Sequence, residues 1–257
     1  MFDLHCHVLY GIDDGAKSID DSVEMLRMAE QIGFQGVVLT PHYMSYTNYI
    51  SPVNENKKRL KALRKAIAEE GIDVKLFLGN ELYYEPELLN MVGSREFTPI
   101  NKSDYFLVET MRHDSNVEHV QDFLYRLQTK GYKTILAHPE RYDFVQDDPN
   151  ILIDFMKKGT LIQMNMLSLI GFYGSRSQET AEIMLEHNMV QFMASDAHRV
   201  KSYEKMAVAC EVAVDWIGAK KFKELMVLNP AIVLSNKSGI ICNPREYQHK
   251  KKKHRFF

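Results

Sequence analysis

The opening segment MFDLHCHVLYGIDDGAKS places His5, Cys6, His7, Asp13 and Asp14 close behind the first apolar residues of the chain. Two chemistries compete for such a cluster. A cysteine between two histidines could act as a redox or zinc-binding thiol, or the imidazoles and a carboxylate could hold a metal with the cysteine uninvolved. Groups of the second kind recur along the chain, each closing an apolar run: His42 in VVLTPH, Glu81 in LFLGNE, Glu109 in YFLVET, His138 in TILAHPE, and Asp196 with His198 in FMASDAH. An isolated HxH, TPH or HPE carries little weight, because Pro commonly punctuates strand ends and such tripeptides are common in turns. The joint placement carries more. Of ten histidines, His5, His7, His42, His138 and His198 fall at these run ends, whereas His113, His119, His187, His249 and His254 read as surface or helix residues.

Those runs need a scaffold that brings their ends together. An amphipathic helix, a Gly or Asn, and a short, nearly all-apolar run recur at 32–42, 70–81, 130–140, 158–165 and 187–198. Gly33, Gly71, Gly131, Gly159 and Asn188 stand where a helix ends in a left-handed residue. The apolar runs read as parallel strands buried on both faces. With 2–7 and 105–110 they make seven strands. Helices are predicted over 18–32, opened by Ser18 with Asp21 three residues on, and over 55–70, 116–130, 150–158, 177–187 and 203–217. This alternation predicts an α/β barrel or doubly wound sheet. No Pro/Gly/Ser-rich linker divides it, so one domain is expected. The irregular stretch Tyr43–Pro52 reads as a loop overhanging the strand ends.

In parallel α/β folds functional groups collect at the carboxyl ends of the strands. His5, His7, Asp14, His42, Glu81, Glu109, His138, Asp196 and His198 therefore converge on one face, an arrangement that cations must organise. Imidazole and carboxylate without thiolate suit Mn²⁺, Fe²⁺ or Zn²⁺. The donors exceed the needs of one ion, so two or three ions sharing a bridging carboxylate are predicted, a centre that activates water against phosphoesters. Strand alternation puts His5 and His7 on one face and Cys6 on the other. Gly11 and Gly15 let the next loop turn Asp14 back to the site, and Asp13 reads as a loop or helix-entry carboxylate.

Bulk properties narrow the setting. With 257 residues, 45% hydrophobic and 26% charged, the chain is an ordinary globular sequence. It holds no apolar run long enough for a membrane span and no secretory leader pattern, and its three cysteines are odd in number and irregularly spaced. A reducing cytoplasm is expected. The net charge of −2 divides into +5 over residues 245–257 and −7 over 1–244. The acidic body argues against a nucleic-acid partner. The tail HKKKKHRFF suits contact with an anionic membrane or an acidic protein, or is simply a frayed terminus.

The motifs resemble those of the polymerase and histidinol phosphatase (PHP) superfamily, and within it the bacterial CpsB/CapC-type capsule and exopolysaccharide tyrosine phosphatases. The blocks HCHVLYGIDDGAKS, LTPH, GNELYY, LVET, ILAHPERY, NMLSLIGFYG and ASDAH carry the resemblance, from Met1 to about Asn229–Pro230. It implies a distorted (β/α)7 TIM-like barrel, the PHP fold; the charge pattern sets that single domain at 1–244 and a basic, flexible tail at 245–257. It also implies three metals, usually manganese. One takes His5, His7, Glu81 and Asp196; a second shares Glu81 and adds Glu109 and His138; the third takes Asp14, His42 and His198. Arg141 of HPERY matches the family's phosphate contact. Family members often carry an Arg-x-Pro or Arg-Pro-Pro element after the last ligand, but here that stretch reads RVKSYEKM, leaving Arg199 as the candidate second phosphate contact.

The predicted reaction is hydrolysis of phosphotyrosine by a metal-bridging hydroxide attacking phosphorus in line, with Arg141 holding the phosphoryl oxygens. A cysteine nucleophile is excluded. The Cys-x5-Arg loop of cysteine-based phosphatases would need Arg at Ile12, Trp216 or Gln248. The resemblance implies as partner a cytoplasmic tyrosine autokinase of polysaccharide export, with the basic tail keeping the enzyme at the inner face of the membrane. The rival readings are a phosphomonoesterase for a small metabolite, like histidinol phosphatase, a nuclease of the same superfamily, and a non-catalytic metal-bound regulatory partner. The oligomeric state is left open.

Overall fold

The strands are short, two to five residues each. The computed structural model describes residues 1–248. It contains β1 (Phe2–Cys6), α1 (Ile19–Ile32), β2 (Gly36–Leu39), β3 (His42–Tyr43), α2 (Val53–Glu69), β4 (Lys75–Leu78), β5 (Glu81–Tyr83), α3 (Leu88–Met91), β6 (Tyr105–Glu109) and α4 (Val117–Thr129). There follow β7 (Lys133–Ala137), α5 (Asp143–Asp147), α6 (Ile151–Lys157), β8 (Leu161–Asn165), α7 (Ser175–Glu186), β9 (Phe192–Ala194), α8 (Val200–Lys223) and α9 (Asn229–Leu234). Helix α1 opens with the predicted capping box between Ser18 and Asp21. All five predicted helix-ending residues take positive φ, from Gly33 at 100° to Asn188 at 57°.

Every strand pairing is parallel. The order β1-β2-β4 forms one sheet and β3-β5-β6-β7-β8-β9 the other. The two sheets are one barrel wall broken twice. The predicted second strand is interrupted at Thr40–Pro41, where proline has no N–H for the ladder, and the third at Gly79–Asn80. Hydrogen bonds carry across both breaks: Gly79 N donates to Leu39 O at 2.9 Å and Glu81 N to Pro41 O at 3.2 Å. At Gly79 a Cβ would sit 3.2 Å from Ile100 Cα, so the close approach favours glycine.

The first and last strands meet through a Cys6–Ala197 bridge. Asp196 N donates to His5 O and His7 N to Ala197 O, each at 2.9 Å. Buried Asp3 ties the same seam, accepting from Ser195 N (3.0 Å), Ser195 Oγ (2.6 Å) and Tyr203 Oη (2.8 Å). Seven strand positions therefore surround one lumen, in agreement with the expected fold.

The inner faces are stratified. Leu4, Val38, Tyr105, Leu107, Ile135, Leu161 and Phe192 form an apolar plug inside, with Val233 of α9. Above it, by strand alternation, the same faces become polar: Glu109 follows Tyr105 and Leu107, and Gln163 and Asn165 follow Leu161. Alternation alone would also put Leu4 and Cys6 on one face. The β1 register shifts between Asp3 and Cys6, and a bulge re-aims side chains. Leu4 accordingly joins the inner plug while Cys6 packs in the larger strand–helix core.

Outside the predicted elements, α8 starts at Val200 and runs beyond 217, kinked at Gly218 (φ 77°). Residues at the start of the expected tail are tied to the body. Arg245 N donates to His187 O at 2.7 Å, and Asn150 exchanges hydrogen bonds of 2.7 and 2.9 Å with the Tyr247 backbone. The Lys-rich run, 249–257, lies outside the described residues. Among the described residues no helix is long and apolar enough to cross a membrane.

Candidate metal centre

All nine predicted ligands meet at the carboxyl ends of the strands. His5 lies in β1 and His7 just beyond it, His42 and Glu81 open β3 and β5, Glu109 closes β6, and His138, Asp196 and His198 follow β7 and β9. His138 (φ 34°) and Asp196 (φ 49°) adopt left-handed backbone, which is unfavourable for residues with a Cβ and typical of functional sites.

The innermost group is compact. His5 Nε2 lies 3.2 Å from His7 Nε2, 3.1 Å from Glu81 Oε2 and 3.4 Å from Asp196 Oδ1, and His7 Nε2 lies 3.2 and 3.3 Å from the same two oxygens. Three donors 3.1–3.2 Å apart, from His5, His7 and Glu81, can share one ion at metal–nitrogen and metal–oxygen bond lengths of about 2.0–2.2 Å. Glu81 spans two groups: Oε2 faces His5 and His7, while Oε1 lies 2.9 Å from His138 Nε2. Glu109 Oε2 is 3.8 Å from the same His138 nitrogen. Asp14 Oδ1 lies 3.5 Å from His42 Nε2 and 3.4 Å from His198 Nε2.

His42 departs from the expected partition. Its Nε2 faces Asp14, but its Nδ1 lies 3.0 Å from Glu81 and 2.9 Å from Glu109. The ring thus stands between the second and third groups instead of serving only the third. Ligand atoms of His7, Asp14, His42 and His198, of His5, His7 and Glu81, and of His42, Glu81 and Glu109 each lie within 4.8 Å of one another. His42 Nδ1 and Glu81 Oε2 are buried without a hydrogen-bond partner. Orphaned atoms of this kind are costly, and ions would satisfy them. With imidazole and carboxylate as the only donors, the residues fit borderline or hard divalent metals.

Electrostatics point the same way. Burial opposes ionisation of Glu81 and Asp196, yet the neighbouring imidazoles, His5 foremost, hold both carboxyls well below their usual range. Burial opposes charge on His42, as does nearby His7, but Glu81 and Glu109 raise it to about 10. Burial also opposes charge on His138, which Glu81 raises to about 9.

A set of supporting residues absent from the sequence reading orients the ligands. His5 Nδ1 lies 2.8 Å from Gln163 Oε1; Gln163 Nε2 donates to Asn165 Oδ1 at 2.9 Å, and Asn165 Nδ2 to Asp196 Oδ2 at 2.6 Å. This relay makes His5 Nδ1 the donor and leaves Nε2 a lone pair for a metal. Asp13, read as a loop carboxylate, plays that part for His7. Its Oδ2 accepts from His7 Nδ1 at 2.8 Å and from His42 N at 3.0 Å, and its Oδ1 from Gly15 N at 2.9 Å. His198 Nδ1 donates to Asp196 O at 2.9 Å. Gly15 is required for a different reason from the one expected. Its φ is not positive, but a Cβ there would collide with the His7 carbonyl.

The HPERY block divides its work. Glu140 is fully buried, accepting from Asn165 N at 3.1 Å and Ser168 Oγ at 2.7 Å, and burial raises it to about 7. Tyr142 Oη donates to Ala137 O and accepts from Thr110 N. Arg141 points into the site: Nη1 donates to Asp196 Oδ2 at 2.7 Å, and the guanidinium lies 4.3 Å from the centre of the Tyr173 ring.

A cleft of about 290 Å³ opens over the centre, walled by Asp14, His42, Glu109, His138, Arg141 and His198, with Met44, Tyr83, Met111 and Arg112 at its sides. The Tyr43–Pro52 loop overhangs it as predicted, and Tyr49 stacks on His42 at 5.8 Å and 13°. Arg199 does not wall this cleft. It is exposed on the far side of His198, in a separate cleft. The cation that does line the metal cleft besides Arg141 is Arg112, which follows the β6 ligand and carried no motif signal.

Seven parallel strand positions with clustered imidazoles and carboxylates at their carboxyl ends define a barrel metallohydrolase. The comparisons with known proteins narrow this. The chain belongs to the CpsB/CapC family of capsular polysaccharide synthesis, whose model matches residues 1–235. Tyrosine-protein phosphatase YwqE of Bacillus subtilis is 33% identical over 204 residues, 79% of each chain. Tyrosine-protein phosphatase CpsB of Streptococcus pneumoniae is 28% identical over 242 residues, 91% of this chain and 98% of that one. A crystal structure from the study of these two proteins, described as unique metal-dependent tyrosine phosphatases, superposes with a TM-score of 0.87 at 28% identity, covering 96% of this chain and all of the other. The lactonase Lmo2620 of Listeria monocytogenes shares the fold alone, with a TM-score of 0.58 at 11% identity.

Proposed function

We propose that the protein is a metal-dependent protein-tyrosine phosphatase whose ions are manganese. His5, His7, Glu81 and Asp196 would hold one ion, Glu81, Glu109 and His138 a second, and Asp14, His42 and His198 a third, with His42 Nδ1 also available to the second. Bound there, the ions supply Lewis acidity that lowers the pKa of water and neutralises phosphoryl charge. The chain's own residues do the rest. Arg141, anchored by Asp196 and Tyr173, keeps its remaining N–H groups free to hold phosphoryl oxygens. Met44, Tyr83 and Met111 offer the phenyl ring an apolar wall and exclude water from the ester bond. Gln163 and Asp13 hold His5 and His7 in the tautomer the centre needs.

The observation that carries this reading is the placement of Arg141 against the candidate ligand cluster in a cleft that Met44, Tyr83 and Met111 also line, which matches a dianion joined to a ring. The relatives, named as tyrosine phosphatases, disfavour a small-metabolite phosphatase. A family of capsular polysaccharide synthesis makes a phosphorylated tyrosine kinase of that system the natural substrate, met in the cytoplasm. The purified protein should hydrolyse a phosphotyrosine peptide, lose activity to a chelator and regain it with Mn²⁺, and prefer the peptide to histidinol phosphate in kcat/KM. Activity that survives exhaustive metal removal would overturn the reading. Metal binding without turnover would favour the regulatory alternative.

A further inference from the structure

A second cleft, of about 410 Å³, lies behind the wall that closes the metal cleft. Two short segments make that wall. On the loop after β1, Asp14 lines the metal cleft and Lys17 the second cleft; after β9, His198 lines both clefts, while Arg199 and Lys201 line only the second. The second cleft therefore gathers three cations at the edge of a protein whose first 244 residues carry −7.

These cations are available. Among the described residues neither Arg199 nor Lys201 makes an ion pair, and both are exposed. Lys17 is fixed in place, its Nζ donating to Asp13 O at 2.8 Å. The lone carboxylate in the cleft, Asp21, accepts from Lys17 N and Ser18 N in the α1 capping box, leaving three cations against one carboxylate. The start of α8, between Arg199 and Lys201, has no side-chain cap and no acidic residue in its first turn. Its dipole adds to the cations without being compensated. Buried Met25 packs beneath the lining.

Resting on the phosphatase reading, we propose that this cleft is a substrate subsite for an acidic group, a carboxylate or a second phosphate, close in sequence to the phosphotyrosine. An extended peptide advances ~3.3 Å per residue. With only the segments of Asp14 and His198 between the clefts, an anion a few residues from the phosphotyrosine would meet Arg199 and Lys201 while the phosphate lies in the metal cleft. The subsite gives the acidic protein a way to hold an acidic substrate, and it gives a role to Arg199, which does not line the metal cleft.

The test uses the full-length, Mn²⁺-loaded enzyme and four substrates: p-nitrophenyl phosphate, and phosphotyrosine peptides with neutral, Glu-containing or additionally phosphorylated flanks. Wild type should favour the acidic-flank peptides over the neutral one by roughly three- to tenfold in kcat/KM, with the advantage fading at high salt. Lys201→Gln should bring the acidic peptides towards the neutral one and leave p-nitrophenyl phosphate unchanged. Comparing the Glu and phosphate flanks shows which anion the cleft prefers. Equal rates on all three peptides in wild type would overturn the proposal, as would an equal loss on every substrate in Lys201→Gln. Failure to turn over p-nitrophenyl phosphate at all would instead overturn the phosphatase reading.

Discussion

Replacing Asp13 by Asn tests whether this carboxylate sets the chemistry of His7. The two side chains have nearly the same shape, so the change is one of donors and acceptors. Asp13 accepts three hydrogen bonds, from His7 Nδ1, His42 N and Gly15 N, at 2.8, 3.0 and 2.9 Å. Asn has one oxygen, so whichever way its amide turns, its NH₂ faces a donor. If it faces Gly15 N, a buried backbone hydrogen bond is lost. If it faces His7, the imidazole must present Nδ1 as acceptor, which puts its proton on Nε2, the atom 3.2 Å from Glu81 Oε2 at the first metal position. Loss of such a supporting partner lowers metal affinity by about 10- to 100-fold, or roughly 1.4–2.7 kcal/mol. Chelator-competition titration with Mn²⁺ should show that loss, and activity should be partly restored by excess metal because the ligands themselves remain. Asp14→Asn, by contrast, should weaken the third position and leave His7 correctly oriented. Unchanged affinity and activity in Asp13→Asn would refute the orienting role and return Asp13 to a plain loop residue.

Three further outcomes are expected. Arg141→Ala should retain its metals by elemental analysis yet lose roughly 10²-fold in kcat/KM, as for removal of a transition-state donor; Arg141→Lys should recover little, because the planar fork is lost. Gly15→Ala places a Cβ 2.5 Å from His7 Cβ and against its carbonyl, so it should cost about 1–3 kcal/mol in thermal unfolding and weaken metal binding as His7 is pushed aside. Alkylation at neutral pH should spare activity, because burial pushes Cys210 up to about 11 and raises Cys6 and Cys242 as well; rapid inactivation by iodoacetamide would contradict a thiol-independent mechanism.

Much of the framework was legible because it follows local rules. Ser18 and Asp21 form a capping box within one turn, and Gly33 ends α1 with the left-handed residue that helix termination favours. The apolar runs declare parallel strands buried on both faces, and the candidate ligands that close six of the seven runs fall where parallel strands end. The breaks at Thr40–Pro41 and Gly79–Asn80 were not legible, since the second depends on how closely Ile100 packs against Gly79. Nor was the start of α8 at Val200, which lacks a capping side chain to announce it.

At the site, the sequence by itself determined which residue types are present and that their runs end together; HxH within a strand places both imidazoles on one side and sets Cys6 apart. Only the tertiary structure decided their roles. Asp13 and Asp14 are neighbours of identical chemistry, and the turn through Gly15 alone sends one to His7 and the other to His42 and His198. Arg199 follows His198 directly yet lines a separate cleft, while Gln163, far away in sequence, meets His5 at 2.8 Å. The physical reason is one of range. Capping and strand alternation act over a few residues and are written in order along the chain, whereas hydrogen bonds between strands from opposite ends of the sequence exist only once the seam from Asp3 to Ser195 has closed the barrel.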